Sequence, residues 1–221
     1  MVDIEKAEEE YTSKDIELLS ELEGVRKRPG MYIGSTNATG LHHLVWEIVD
    51  NGVDEAVNGF GDKITVIIRK DGSISIEDEG RGIPVDIHKE TGMPAVQLVY
   101  STLHSGGKFS SKVYSTSAGL HGVGATVTNA LSEWIDITVF REGKIYNIRF
   151  EHGGKLAHPL QVLGNTNKHG TLVRFKPDAQ NLHEPSNSNG TPSTITLQEE
   201  AFLLKKVHFI LKDEKYWQLE P

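Results

Sequence analysis

Cysteine is absent from this chain, so neither a disulfide nor a thiolate metal site can form. That suits a reducing compartment, and a cytoplasmic setting is expected. Basic residues are in deficit: 23 Lys and Arg stand against 31 Asp and Glu, a formal charge of −8. Affinity for a phosphate backbone comes mainly from clustered Lys and Arg, which makes the chain a poor candidate to hold DNA by itself. No apolar run approaches the length of a bilayer span, and the acidic start Met1 to Glu10 lacks the basic and apolar regions of a signal peptide. No membrane association is expected. Catalytic signatures of several enzyme classes are missing too. There is no Gly-x-Ser-x-Gly, no Cys nucleophile, and no Gly-x-x-x-x-Gly-Lys-Ser/Thr phosphate loop. The ten histidines do not cluster, and the adjacent pair His42-His43 diverges by about 100° on a helix, which argues against zinc.

What remains is a chain of 221 residues with 37% apolar side chains, long enough for one sizeable core. Residues 1–20 read as an acidic arm or short helix, and 21–221 as one domain. Arg26-Lys27-Arg28-Pro29-Gly30 precedes Met31, Tyr32 and Ile33; three basic residues could contact nucleic acid, but a loop that tucks those three apolar side chains into the core explains the segment as well and is the expectation. A helix is expected from about Gly40 to Gly59. Lys63 to Arg69 and Ser73 to Asp78 read as a hairpin through Lys70-Asp71-Gly72. Ile135 to Arg141 and Lys144 to Phe150 form a second β pair, and Thr171 to Lys176 a further strand, with helical stretches near 94–104 and 121–132. Strands joined as hairpins predict an α+β fold: a mostly antiparallel, mixed sheet with helices on one face. The stretch 181–194, rich in Asn, Ser, Pro and Gly, reads as a loop or an engineered join, and a last helix and strand are expected within Leu197 to Leu211.

The most informative segment is the helix from Glu47 to Ala56. Positions four apart share a face, so Glu47, Asn51 and Glu55 line up opposite an apolar stripe of Leu41, Leu44, Val45, Ile48, Val53 and Ala56. A carboxylate there can take a proton from water, and an amide oxygen one turn on can ligate a hard cation such as magnesium. The same pattern also suits the polar face of any amphipathic helix. Asp78-Glu79-Gly80-Arg81-Gly82-Ile83-Pro84 ends a strand; its glycines let the backbone approach a flat ligand while Asp78 accepts from an exocyclic amine. A plain glycine turn is the alternative. From Ser105 to Gly124 a glycine-rich region includes Lys108 and Gly119-Leu120-His121-Gly122-Val123-Gly124, then Ala125 opens a helix. Consecutive backbone N–H groups and a helix start suit an anion, as they also suit a flexible loop. Gly170-Thr171 opens the late strand, with a hydroxyl able to reach a site.

Taken in order, these four signals resemble the GHKL (Bergerat) ATP-binding superfamily, which joins type II topoisomerase subunits, MutL-type repair proteins, ninety-kilodalton heat-shock chaperones and histidine kinases. Within it RKRPGMYIGS, GLHHLVWEIVDN, DEGRGIP, LHSGGKF and GLHGVG are similar to the ATPase domain of bacterial type II topoisomerase B subunits, over about residues 11–178. The resemblance implies ATP and magnesium as ligands. Glu47 would polarise the attacking water and Asn51 would ligate magnesium. Asp78 would bind the adenine amine with support from Thr171, beside Gly80 and Gly82. A lid of Gly119, Leu120, His121, Gly122, Val123, Gly124 and Ala125 would wrap the phosphates, with Lys108 alongside. Arg81 and Pro84 would wall the adenine pocket, Glu55 would pair with Arg81, and Arg141 would sit at a rim where ATP-competitive inhibitors bind. Tyr11 would reach into the nucleotide site of a second B subunit. The family usually has Tyr-Lys-x-Ser-Gly-Gly where this chain has Tyr114-Ser115-Thr116-Ser117-Ala118-Gly119.

The implied partners are a second B subunit, the topoisomerase A subunit, and DNA through the whole enzyme. A transducer domain follows in that family and supplies a lysine to the γ-phosphate. This sequence does not extend into it, so slow hydrolysis as a monomer is expected. The alternatives are another GHKL ATPase or a catalytically weak nucleotide-binding module.

Overall fold

Ser20 starts the first helix with a reciprocal cap: its hydroxyl accepts from the Glu23 backbone N–H, while the Glu23 carboxylate accepts from the Ser20 N–H at 2.9 Å. The computed structural model describes residues 18–105, 122–182 and 207–214. In it α1 (Glu21–Lys27) is followed by a single turn, α2 (Gly30–Ile33), and the long α3 (Ala38–Val57). Asn37 caps α3 by accepting from the Thr39 N–H at 2.9 Å. Then come β1 (Lys63–Ile68), β2 (Ile74–Asp78), α4 (Ala95–Ser101), α5 (Gly124–Ala130), β3 (Ser132–Arg141), β4 (Lys144–Glu151), β5 (Lys155–Asn165), β6 (Gly170–Pro177) and β7 (His208–Asp213).

All seven strands join one sheet in the order β5-β4-β3-β6-β2-β1-β7. Every pairing is antiparallel except β1 with β7, so the sheet is mixed as expected. Side chains alternate across it. Ile64, Val66, Ile74, Ile76, Ile135, Ile137, Val139, Ile148, Phe150, Val173 and Phe175 are buried and meet Leu44, Ile48, Val49, Val53 and Val127 from the helices. Burying each such side chain contributes about 1.5–3 kcal/mol relative to exposure. The other face is charged: Trp134 lies between the Arg149 and Arg174 guanidinium groups, 4.7 and 5.2 Å from its ring centre. Arg26 ties α1 to the rest, donating to the Ala130 carbonyl and to Asp178, each at 2.8 Å.

Two readings of the sequence need correction. Of Met31, Tyr32 and Ile33 only Ile33 enters the core; Met31 is 81% exposed. The segment is a helical turn, in which neighbours diverge by about 100°, so one residue of three faces inward. Strand β5 is an addition to the expected elements. It is an edge strand with mostly exposed side chains, irregular register against β4 and Pro159 within it, so it lacks an alternating apolar signal. The helices are also shorter than expected, α4 ending at Ser101 and α5 at Ala130. The last strand is present as β7, while the helix expected before it, and nearly all of 181–194, lie outside the described residues. Among the described residues no helix is long and apolar enough to cross a membrane.

Candidate active site

Helix α3 carries Glu47, Asn51 and Glu55, each partly buried, and packs against β1 and β2. Glu47 lies directly against Gly124, the first residue of α5; a Cβ added to Gly124 would run into the Glu47 carboxylate. Glycine there is what lets the carboxylate reach the start of the second helix. The side chains of Glu47 and Asn51 make no hydrogen bond to another described residue. One residue on, Gly52 lets α3 pack onto β2: a Cβ there would stand 3.0 Å from the Asp78 Cβ.

Asp78 is the last residue of β2, opposite Thr171 on β6. Burial pushes its pKa up to about 6, and the charges of Glu55 and Glu77 add to the rise. Backbone N–H groups of Gly80 (2.8 Å) and Thr171 pull the other way by donating to the carboxylate. The fully buried Tyr100 phenol is held well above its usual range, by burial first and then by the charge on Asp78.

After Asp78 the chain leaves the sheet, and side chains take over the holding of its backbone. Glu55 accepts from the Arg81 backbone N–H at 2.9 Å and from its guanidinium at 3.0 and 2.8 Å. The Arg81 guanidinium lies 3.9 Å above the centre of the Phe60 ring. Arg141 donates to the Gly82 carbonyl at 2.8 Å, and the Ile83 N–H donates to the Thr171 hydroxyl at 3.3 Å. His169 Nδ1 donates to the Gly80 carbonyl at 2.9 Å. Pro84, two residues after Gly82, is exposed. A cavity of ≈ 520 Å³ is lined by Phe60, Gly61, Gly80, Arg81, Arg141 and His169, among others, and not by Glu47, Asn51, Asp78 or Thr171.

The structure therefore brings Glu55, Asp78, Gly80, Arg81, Gly82, Arg141 and Thr171 together, with Glu47 and Asn51 on the same helix as Glu55 and Gly124 against Glu47. Gly122, Val123 and Ala125 lie at the opening of α5. Tyr11, Lys108, Gly119, Leu120 and His121 lie outside the described residues. Reading the sequence missed Phe60 and His169. Phe60 stands between Gly59 and Gly61 after α3, and His169 just before Gly170-Thr171; neither position carries a spacing signal of its own.

The chemistry available is a carboxylate and a carboxamide one helical turn apart on α3, and a buried acid at the end of β2 where a glycine-containing loop begins. The B subunit of DNA topoisomerase 4 from Staphylococcus aureus is 53% identical over 203 residues, covering 92% of this chain and 30% of its own. The B subunit of DNA gyrase from Archaeoglobus fulgidus is 52% identical over 209 residues, 93% of this chain and 33% of its own. The chain thus spans about a third of the length of these curated relatives. Among solved structures, the 43K ATPase domain of Thermus thermophilus gyrase B in complex with an aminocoumarin superposes with a TM-score of 0.75 at 45% identity, covering 88% of this chain and 49% of that one. The family described as histidine kinase-, DNA gyrase B- and HSP90-like ATPase matches residues 36–181. This chain belongs to that family and has its GHKL ATP-binding fold.

Proposed function

We propose that this chain is the ATP-binding and ATP-hydrolysing domain of a type II DNA topoisomerase B subunit. The observation that carries the reading is Glu47, whose side chain lies against the start of α5 and has no hydrogen bond to a described residue, one helical turn before Asn51 on the helix that packs onto Asp78 at Gly52. Asp78 accepts the adenine amine, with the Thr171 hydroxyl beside it. Glu47 orients and deprotonates the water that attacks the γ-phosphate. The backbone of Gly122 to Ala125 holds the phosphates, a role that the family resemblance extends to Gly119, Leu120, His121 and Lys108.

Among the described residues no group of three or more acids and histidines is arranged to hold a metal ion. Magnesium fits all the same, because it is commonly held by one or two protein oxygens with phosphates and water completing its shell. The carboxamide oxygen of Asn51 supplies such a ligand. When bound, the ion neutralises phosphate charge.

In the whole enzyme, ATP joins two such domains, with Tyr11 of each reaching its partner, into a gate for DNA carried with the A subunit. ATP-competitive inhibitors would take the Asp78 pocket and its Arg81–Arg141 rim. Relatives of both the gyrase and the topoisomerase IV kind match this chain almost equally, at 52% and 53% identity, so these residues do not separate the two.

Calorimetric titration with a non-hydrolysable ATP analogue and magnesium tests the reading. Wild type should bind, and a folded Asp78→Ala variant should not. A wild type that leaves the analogue unbound overturns it.

A further inference from the structure

The ladder between β2 and β6 ends at Asp78 opposite Thr171, and extending its antiparallel register by two places sets Gly80 opposite His169. No backbone pair forms there, because Gly170 turns away with φ +119°, and a Cβ on Gly170 would strike the Asp78 carbonyl. The His169 imidazole fills the gap: its Nδ1 lies 2.9 Å from the Gly80 carbonyl oxygen. A carbonyl only accepts, so the proton is on Nδ1. Gly80 is thereby gripped on both sides: its N–H donates to Asp78 at 2.8 Å, and the peptide that follows is held by its carbonyl at His169 and by its N–H, that of Arg81, at Glu55. Side-chain growth at Gly80 is blocked as well, since a Cβ would stand 2.7 Å from Glu55 Cγ.

We propose that His169 is a positioning residue for recognition of the purine base. It fixes the Gly80–Arg81 peptide, and so the residue whose N–H donates to the Asp78 carboxylate, while no hydrogen bond among the described residues links it to Glu47 or Asn51. The proposal rests on the adenine-site reading given above. Its consequence is selective: losing the Nδ1–H weakens the hold on adenine and leaves the hydrolytic step alone.

The test compares wild type with His169→Ala, His169→Asn and His169→Gln in the full chain, by calorimetry with non-hydrolysable ATP and GTP analogues and magnesium. Asn places its amide N–H near the position of Nδ1, whereas Gln places it near Nε2. His169→Ala and His169→Gln should bind the ATP analogue about 5- to 10-fold more weakly, the size of one hydrogen bond. Preference for ATP over GTP should narrow by a similar factor, and His169→Asn should restore both. A purely structural role would lower the melting temperature and give no separate recovery with Asn. Wild type that binds, with His169→Ala within twofold of it, overturns the role of His169 alone. Failure of Asn to rescue does the same. Wild type that does not bind overturns the adenine-site reading and this inference with it.

Discussion

Glu55 holds Arg81 at three points, the backbone N–H and two guanidinium nitrogens, all between 2.8 and 3.0 Å. One carboxylate on a helix thus sets both the path of the loop after β2 and the angle of its arginine, which then lies over Phe60. The Glu55 side chain is 12% exposed, so solvent competes little for it. Charge-assisted hydrogen bonds of this kind contribute about 1.5–3 kcal/mol. Glu55→Ala should therefore lose about that much stability in urea unfolding and should also weaken nucleotide binding. A variant with an unchanged urea midpoint would show that the pair holds nothing.

Asp78 makes stability depend on pH in an unusual direction for a carboxylate. Its folded pKa of about 6, raised by burial, lies above the unfolded value of about 3.9. Between those values the folded chain keeps a proton that the unfolded chain releases. The contribution of this group is therefore greatest below about pH 4 and is lost as pH rises through 6. Asp78→Asn removes the cost of the buried charge. It should be more stable than wild type at pH 7.5, and the difference should close on going to pH 4. Unfolding curves at pH 4, 6 and 7.5 measure this, and a gap that widens toward acid would refute it.

Gly124 should matter to hydrolysis more than to binding. A methyl group there meets the Glu47 carboxylate and must displace it. A displacement of about 1 Å at a reacting group costs on the order of 10²-fold in rate. Gly124→Ala should slow ATP turnover by roughly that factor, and Glu47→Gln by about 10²–10⁴-fold. Binding of a non-hydrolysable analogue to Glu47→Gln should stay near that of wild type. Retained turnover in Glu47→Gln would remove Glu47 as the base.

Much of the local structure is legible from residue order. The hairpin of β1 and β2 follows from β-branched runs around Lys70-Asp71-Gly72, and β3 with β4 from runs around Glu142-Gly143. Helix α3 is legible because its apolar positions recur at helical spacing, which also puts Glu47, Asn51 and Glu55 on a shared face. Met31 and Tyr32 mislead because apolar character indicates affinity for a core but not which way a short turn points. Strand β5 is invisible because an exposed edge imposes no alternation.

Residue order alone therefore settles most of the elements, the polar face of α3 and the glycines at its meeting points, since these depend on local periodicity and backbone freedom. Packing in three dimensions is what seats Glu47 against Gly124, lets Asp78 sit beside α3 at Gly52, and caps the Gly80 carbonyl with His169. Those partners lie many residues apart along the chain. Each contact depends on the sheet's order and register, which bring distant strand ends together and leave their unpaired backbone groups for particular side chains to satisfy.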